Sequence, residues 1–520
     1  MPDSLVLTID AGTGSGRAVL FNEKGNRVAI AQREWAPEPV EEYPGALNFN
    51  TRSTWRLIVE CIKEAVEKAG ASAGDIAGVT ATSMREGMVL YDDEKKEIWA
   101  CPNTDARARG EAEDIIKAGL GERIYNTGGD WVSLISPARF WWIRRNLPDL
   151  YKKIAYMNML SDWVLFKLSG EIVTDVSCGS SSGIFDSRKR TWSEEIVADL
   201  DLPRSIYPHV YEPGSVIGKV TGDAAGQTGL LKGTPVITAG ADTQMALIGA
   251  GAVTPGAYTV VGGTFWQTAV VTDHALIDPG YRLRTLCHAV QGQWMVEGIG
   301  FYLGFALRWF RDGFCPDVVK QAREMQIDPY CLMEKMAESI PPGSNGIQAL
   351  FSNVMNARSW KHASPSFAGF DILRPDESGR AACIRAIEEN AAYTSRAHYE
   401  ILNEISGYRP REITFCGGSS KGSLWPRILA DTLGVRLRIP LVKEATSLGS
   451  CICAGLALGW YGSMSEAAEE LVHWEREITP IERNMRAYDR AYDLWRSIYP
   501  HVLSISDEGL LPSMWRAPGT

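Results

Sequence analysis

LVLTIDAGTGSGRAVLF, Leu5 to Phe21, sets a hydrophobic run, an acidic residue, a turn of glycines and hydroxyls, and a second hydrophobic run in immediate succession. The run after the glycines leads through NEKGN into another strand-like stretch, RVAIA. The turn therefore joins two strands, whereas Rossmann and Walker A loops each open a helix. A turn built from Gly12, Thr13, Gly14 and Ser15 aims backbone N–H groups and two hydroxyls at an anion, and Asp10 beside it suits a hydrated divalent cation. The segment reads as one half of an ATP clamp. A plain hairpin whose glycines only supply positive φ is the competing reading of this stretch alone.

The chain has 520 residues, 45% of them hydrophobic, which is more than one core accommodates and divides into two units of roughly 250 residues. Net charge is −10 with both signs mixed throughout and no basic block, which argues against a nucleic-acid surface or an anionic membrane face. The start, MPDSLVLTID, shows no basic leader before a long apolar core, and no stretch reaches the ~18 apolar residues of a membrane span, so a soluble cytoplasmic protein is expected. The ten cysteines form no CxxC pair, and Cys451 and Cys453 lack partners for a zinc site, so buried reduced thiols are expected.

Helical spacing over residues 54–68, followed by the buried-strand pattern IAGVTATSM ending at Arg85 and Glu86, indicates an α/β domain. PARFWWIRRNL and MLSDWVLFKLSG read as helices, and the polar SCGSSSGIFD after them as a surface loop or a lid. TPVITAG is a strand that delivers Asp242, and GAYTVVGGTFWQTAVVT repeats the strand, glycine and threonine turn, strand of the N-terminus, as an internal duplication would. The boundary is placed at Thr254 and Pro255, dividing the chain into 1–254 and 255–520. The second unit runs to about 465, before amphipathic helices and a polar tail. Within it, IRAIEENAAYTSRAHYEILNEI is a long helix, EITFCGG a strand ending at Gly417, and SLWPRILADTLG a helix.

Three glycine turns thus lie at strand ends, at Gly12 to Gly16, at Gly262 and Gly263, and at Gly417 and Gly418. Two facing domains could clamp one nucleotide between them, with Thr13 and Thr264 at the β- and γ-phosphates and the third turn against the nucleoside. Asp242, at the end of a buried strand, fits a general base for a substrate hydroxyl, and capping of the following helix is the alternative. Arg85 and Glu86 can bracket vicinal hydroxyls by donating to one and accepting from another, or form a surface ion pair. Arg17 supplies positive charge near a transferred phosphoryl group, and Lys421 either lies near the phosphates or starts a solvated helix. The tryptophans are expected in the cores, except Trp266, directly after the second turn, which is a candidate ligand contact.

With these motifs assembled, the chain resembles the FGGY carbohydrate kinases over nearly its full length. DAGTGSGR, GADTQ, GGTFW and CGGSSKGSLWPRILADTLG fall in that family's order. The resemblance implies an α/β fold of two ribonuclease H-like domains, the superfold of actin, Hsp70 and hexokinase, closing over magnesium ATP in an interdomain cleft. It also implies Asp10 near Mg2+, Thr13, Gly263 and Thr264 near phosphates, Gly417, Gly418, Ser419 and Lys421 near the nucleotide, and Asp242 as catalytic base. Arg85, Glu86, Gln244, Trp266 and, more weakly, Asp105 in NTDARA would touch a small polyol or ketone.

SMREGMVLYDDE, RWFRDGFC, IPPGS, SWKHASPSF, EENAA and a terminal SMWRAPG look like the subgroup that phosphorylates the quorum-sensing signal derived from dihydroxypentanedione. Phe265 stands where a glycine is common, Gly422 where glycerol kinases place an adenine-contacting asparagine, and Leu134 near the place of their pocket tyrosine. Glycerol is therefore not the expected acceptor. A pentulose or hexulose kinase is the first rival reading and a non-catalytic nucleotide or sugar sensor the second. The family includes kinases controlled by sugar-uptake phosphotransferase proteins, so a regulatory contact of that kind is also implied.

Overall fold

The computed structural model describes residues 4–516 apart from 134, 264, 355, 357, 359 and 360. Thr264 and Leu134 therefore lie outside the described residues. The opening stretch forms β1 (Leu5–Ala11) and β2 (Ser15–Asn22), an antiparallel hairpin across the glycine turn, extended by β3 (Arg27–Glu34). With β4 (Ile76–Ser83), β5 (Val216–Lys219) and β6 (Pro235–Ala241) they make one sheet in the order β5-β6-β4-β1-β2-β3. β1, β4 and β6 run parallel, and every residue of β1 is buried, as expected of a strand covered on both faces.

The second sheet repeats the plan. It consists of β7 (Tyr258–Gly262), β8 (Trp266–Thr272), β9 (Arg284–Cys287), β10 (Trp294–Gly300), β11 (Glu412–Cys416), β12 (Arg436–Pro440) and β13 (Trp474–Ile478), ordered β9-β10-β8-β7-β11-β12-β13. β7 and β8 are again a hairpin across a glycine turn, and β7, β11 and β12 are parallel. The antiparallel edge pair β5/β6 of the first sheet has its counterpart in β13/β12 of the second. The two hairpin turns close with the same kind of bond, Gly12 N–H to the Ser15 carbonyl (2.9 Å) and Gly263 N–H to the Phe265 carbonyl (3.0 Å).

α1 (Thr51–Ala69) starts at Asn50, whose side chain accepts from Ser53 N–H, and lays Trp55, Ile58, Ile62 and Ala65 on the first sheet. α2 (Val176–Ser180) lies in the polar SCGSSSGIFD segment, which is buried, not a surface loop or lid. Its hydroxyls satisfy backbone groups of both sheets: Ser177 Oγ accepts from Ala241 N–H (2.9 Å) and Ser180 Oγ from Cys287 N–H (3.1 Å). α3 (Asp242–Gly249) follows β6 directly.

In the second half, α4 (Pro329–Glu338), α5 (Arg380–Ser406) and α6 (Leu424–Leu433) share a core with β7, β8 and β11. α7 (Ala445–Ala457) is apolar all round and crosses to the first sheet, where Leu448, Cys451 and Ile452 pack with Val6, Val19 and Ile237. Its crossing with α3 is backbone on backbone: a Cβ on Gly249 would meet the Ala445 carbonyl oxygen at 1.9 Å, and one on Gly449 the Met245 carbonyl oxygen at 1.9 Å.

The expectation of a purely helical and polar tail beyond residue 465 needs correction. The expected helical tail includes β13, a strand of the second sheet beyond residue 465, and α8 (Glu482–Asp507) sends Tyr488, Tyr492, Trp495 and Tyr499 into the second core. The terminal strand Trp515–Arg516 pairs with Lys361–His362. All ten cysteines are free and nine are buried, Cys331 being the exposed one. Among the described residues no helix is long and apolar enough to cross a membrane.

Candidate active site

A cavity of about 360 Å³ lies between the two sheets, with Thr13, Arg85, Glu86 and Asp242 from the first half and Phe265, Gln267 and Arg284 from the second on its wall. Asp242 reaches it because β6 ends at Ala241, which takes the N-cap position, and Asp242 begins α3. The capping alternative is thereby reduced to bonds with the adjacent residue, as the Asp242 carboxylate accepts from Thr243 N–H at 2.6 Å and from the Thr243 hydroxyl at 3.2 Å. Burial pushes the carboxyl up to about 6, with the Arg85 charge opposing and Asp10 adding to the rise.

Arg85 and Glu86 are not a surface pair. Arg85 donates to Glu297 at 2.5 Å, and Glu86 accepts from Arg284 at 2.6 Å, while Arg284 also pairs with Asp130. Arg85, Glu86 and Asp130 belong to the first half and Arg284 and Glu297 to β9 and β10 of the second, so the network spans the cleft. Burial raises the Glu86 carboxyl, but the Arg284 and Arg85 guanidiniums outweigh it and hold it below the usual range. Burial dominates at Asp130, which is raised despite Arg284. Glu86 also holds φ at +61°, a strained conformation for a side-chain-bearing residue, and its carbonyl accepts from Arg139.

A second cavity, of about 630 Å³, is lined by Gly262 and Gly263 of the second turn and by Gly418, Ser419, Lys421 and Gly422 of the third. The β7–β8 turn stands between the two, since Gly263 faces the larger cavity and Phe265, two residues on, the smaller. Gly417, with φ of +94°, brings the third turn against the second: a Cβ there would meet the Gly262 carbonyl oxygen at 2.5 Å. Arg476 braces the third turn by donating to the Ser420 carbonyl at 2.6 Å.

Asp10 is buried and its carboxyl raised by that burial, with Arg17, whose Nε lies 3.4 Å from Asp10 Oδ2, pulling the other way. Among the described residues no group of three or more His, Cys, Asp or Glu side chains is gathered to hold a metal alone. One poorly compensated carboxylate beside a phosphate turn nevertheless fits a magnesium ion shared with nucleotide phosphates. Thr13 lines the smaller cavity and donates to Asn103 (3.3 Å), whereas Gly12, Gly14, Ser15 and Arg17 line neither cavity.

Three expected acceptor contacts sit elsewhere. Trp266 alternates away from the cavity that Phe265 and Gln267 face; it donates to Ser395 (2.7 Å) and stacks on Trp425 in the core. Gln244 is fully buried and donates to the Cys287 carbonyl at 3.2 Å, and the cavity position falls to Thr243. Asp105 accepts from Leu47 N–H (2.9 Å) and Arg107 (2.8 Å), which makes it a brace of the cavity wall. Arg284, Glu297 and Asp130 were not anticipated. The signal available was the one that marked Asp242: Glu297, in WMVEGIG, is a carboxylate inside a buried-strand run.

The model of the FGGY carbohydrate kinase N-terminal domain matches residues 5–249, and that of the C-terminal domain residues 259–458. This chain belongs to the FGGY family of carbohydrate kinases. It is thus an ATP-dependent phosphotransferase acting on an alcohol group, of a family that uses ATP with a divalent metal. The FGGY chain is 40% identical over 517 residues to the autoinducer-2 kinase of Yersinia enterocolitica, covering 99% of this chain and 98% of that one. It is 39% identical over 519 residues to the autoinducer-2 kinase of Klebsiella pneumoniae, covering 99% and 97%. Among solved structures, its fold matches a xylulose kinase from Lactobacillus acidophilus (TM-score 0.86, 18% identity, 98% of this chain and 100% of that one). A Plasmodium falciparum glycerol kinase with ADP matches at a TM-score of 0.84 with 18% identity, over 96% and 98%.

Proposed function

We propose that this kinase phosphorylates the C5 hydroxyl of open-chain 4,5-dihydroxy-2,3-pentanedione, the autoinducer-2 precursor, using magnesium ATP. The supporting observation is that a carboxylate poised near neutrality, Asp242, and a cavity lined by two glycine turns lie on opposite sides of the β7–β8 hairpin turn. The similarity to proteins named autoinducer-2 kinase supports this choice of acceptor.

The acceptor enters the smaller cavity, where Glu86 accepts from a substrate hydroxyl and Arg85 and Arg284 donate to its oxygens. Asp242 takes the proton of the attacking hydroxyl as that oxygen bonds to the γ-phosphorus and the bond to the β-phosphate oxygen breaks. Thr13, on the wall of the smaller cavity, and the N–H groups of the glycine turns orient the phosphates. Magnesium, held by Asp10, would supply charge neutralisation for the leaving diphosphate.

The test is ATP consumption across dihydroxypentanedione, xylulose, ribulose, glycerol and no acceptor, with Asp242→Asn as control. Preference for dihydroxypentanedione supports the proposal; preference for a ketose keeps the mechanism and replaces the acceptor. Absence of any acceptor-dependent turnover would favour a nucleotide-binding sensor.

A further inference from the structure

The larger cavity holds a carboxyl that the mechanism does not use. Glu388, on α5, lines this cavity and is only 3% exposed, and its Oε2 has no hydrogen-bond partner among the described residues. Arg308, Asp328, Lys421 and Arg476 also line the cavity, but the charged groups that act on it most strongly are Glu334 and Glu338 on α4, and Arg385 and Glu389 on α5. Arg385, the one cation of that set, is engaged elsewhere, with Glu389 at 2.9 Å and the Tyr488 hydroxyl at 2.7 Å. Glu334, on the same wall, accepts from Leu424 N–H at 2.5 Å. A desolvated carboxyl among other carboxylates, with no cation bound to it, is kept in its neutral form. Burial, reinforced by Glu334, accordingly raises Glu388 well above the usual carboxylate range.

A neutral carboxyl presents an O–H donor and a C=O acceptor side by side. That pair complements the amino group and adjacent ring nitrogen of adenine. An ionised carboxylate, with two acceptors, complements instead the two N–H donors on the pairing edge of guanine. Position 422 of the third turn supplies no competing side chain: it is glycine, and a Cβ there would come within 2.4 Å of Glu334 Oε1. The glycine turns of the same cavity suit phosphates, which leaves its α4 and α5 wall for the base.

We propose that Glu388 reads the nucleobase of the phosphoryl donor, its protonated carboxyl selecting adenine over guanine. This rests on the nucleotide site assigned above. Lost hydrogen bonds at a buried reader translate into about tenfold in selectivity. In Glu388→Ala, the ratio of kcat/KM for ATP to that for GTP falls by about tenfold, mainly through KM for ATP. Glu388→Gln, whose amide keeps one donor and one acceptor, restores most of that preference. The preference of the native protein weakens at high pH, as ionisation exchanges the donor for an acceptor, and that of Glu388→Gln does not.

The ratio is insensitive to any loss of folded protein, and calorimetric binding of ADP and GDP to the full chain provides a readout without turnover. Native protein that binds ADP, with an alanine variant whose ATP to GTP ratio stays within twofold, overturns the role of Glu388 alone. Native protein that binds neither nucleotide overturns the nucleotide site and this inference together.

Discussion

At the scale of single residues, the proposed chemistry depends on how poorly Asp242 is solvated. Its carboxyl titrates at about 6, and it accepts a proton only when ionised. kcat/KM for the acceptor is therefore expected to fall as pH drops below about 6 and to level off above it, a limb absent from the residual activity of Asp242→Asn. That variant should lose at least ~100-fold in kcat with ADP affinity retained, as measured by calorimetry. A folded-state carboxyl raised above its unfolded value contributes stability at low pH that is lost as pH rises through the folded value. Asp242→Asn should then melt at a higher temperature than the native protein at pH 8, and the gap should close toward pH 5. At the facing wall, Arg284→Lys replaces a planar fork held by Glu86 and Asp130 with a point charge. We expect KM for the acceptor to rise about tenfold with KM for ATP nearly constant, read from initial rates. An equal rise in both would place Arg284 outside acceptor recognition.

At the scale of elements, the proposed base is held by a helix crossing. α3 carries Asp242 at its first residue and is pinned to α7 through Gly249 and Gly449. A methyl at 449 cannot be absorbed by a rotamer change, because it meets a carbonyl oxygen. Gly449→Ala should cost about 1–3 kcal/mol in denaturant unfolding and also lower kcat, since the displaced helix takes Asp242 with it. Unchanged stability would mean that the two helices separate freely. The elements were largely legible in the sequence because each strand and helix announces itself by local periodicity and the punctuation of glycine. The buried α2 segment was not, since SCGSSSGIFD is polar by composition, and only the strands around it reveal that its hydroxyls serve Ala241 and Cys287 backbone groups. β13 was missed for a similar reason: WEREI carries three consecutive charges, which a strand tolerates here because it is the sheet edge and exposes Glu475 and Glu477.

For the whole molecule, both halves wall the proposed acceptor cavity, so its shape depends on how closely they approach across the cleft. Closure on binding both ligands is expected to reduce the radius of gyration in small-angle scattering. Superimposable profiles with and without ligands would exclude it. The hinge is constrained by contacts that already bridge the cleft, among them Arg85 to Glu297 and Tyr125 to the Leu283 carbonyl. α7 adds a covalent return from the second half to the first sheet.

The sequence by itself determined the duplicated hairpin plan, the three glycine turns and the acid at the end of β6, because each is written in contiguous residues whose backbone demands are local. Only the tertiary structure decided which side chains face the cleft. Phe265 ends the turn and Trp266 begins β8, yet they point to opposite sides, and Gln244 and Thr243 lie on different faces of one helix, so the choice depends on what packs behind them. The Arg284, Glu297 and Asp130 network lay beyond sequence reading for the same reason. Its members are far apart in the chain, and their charges are tolerable in a buried site only because folding brings them together.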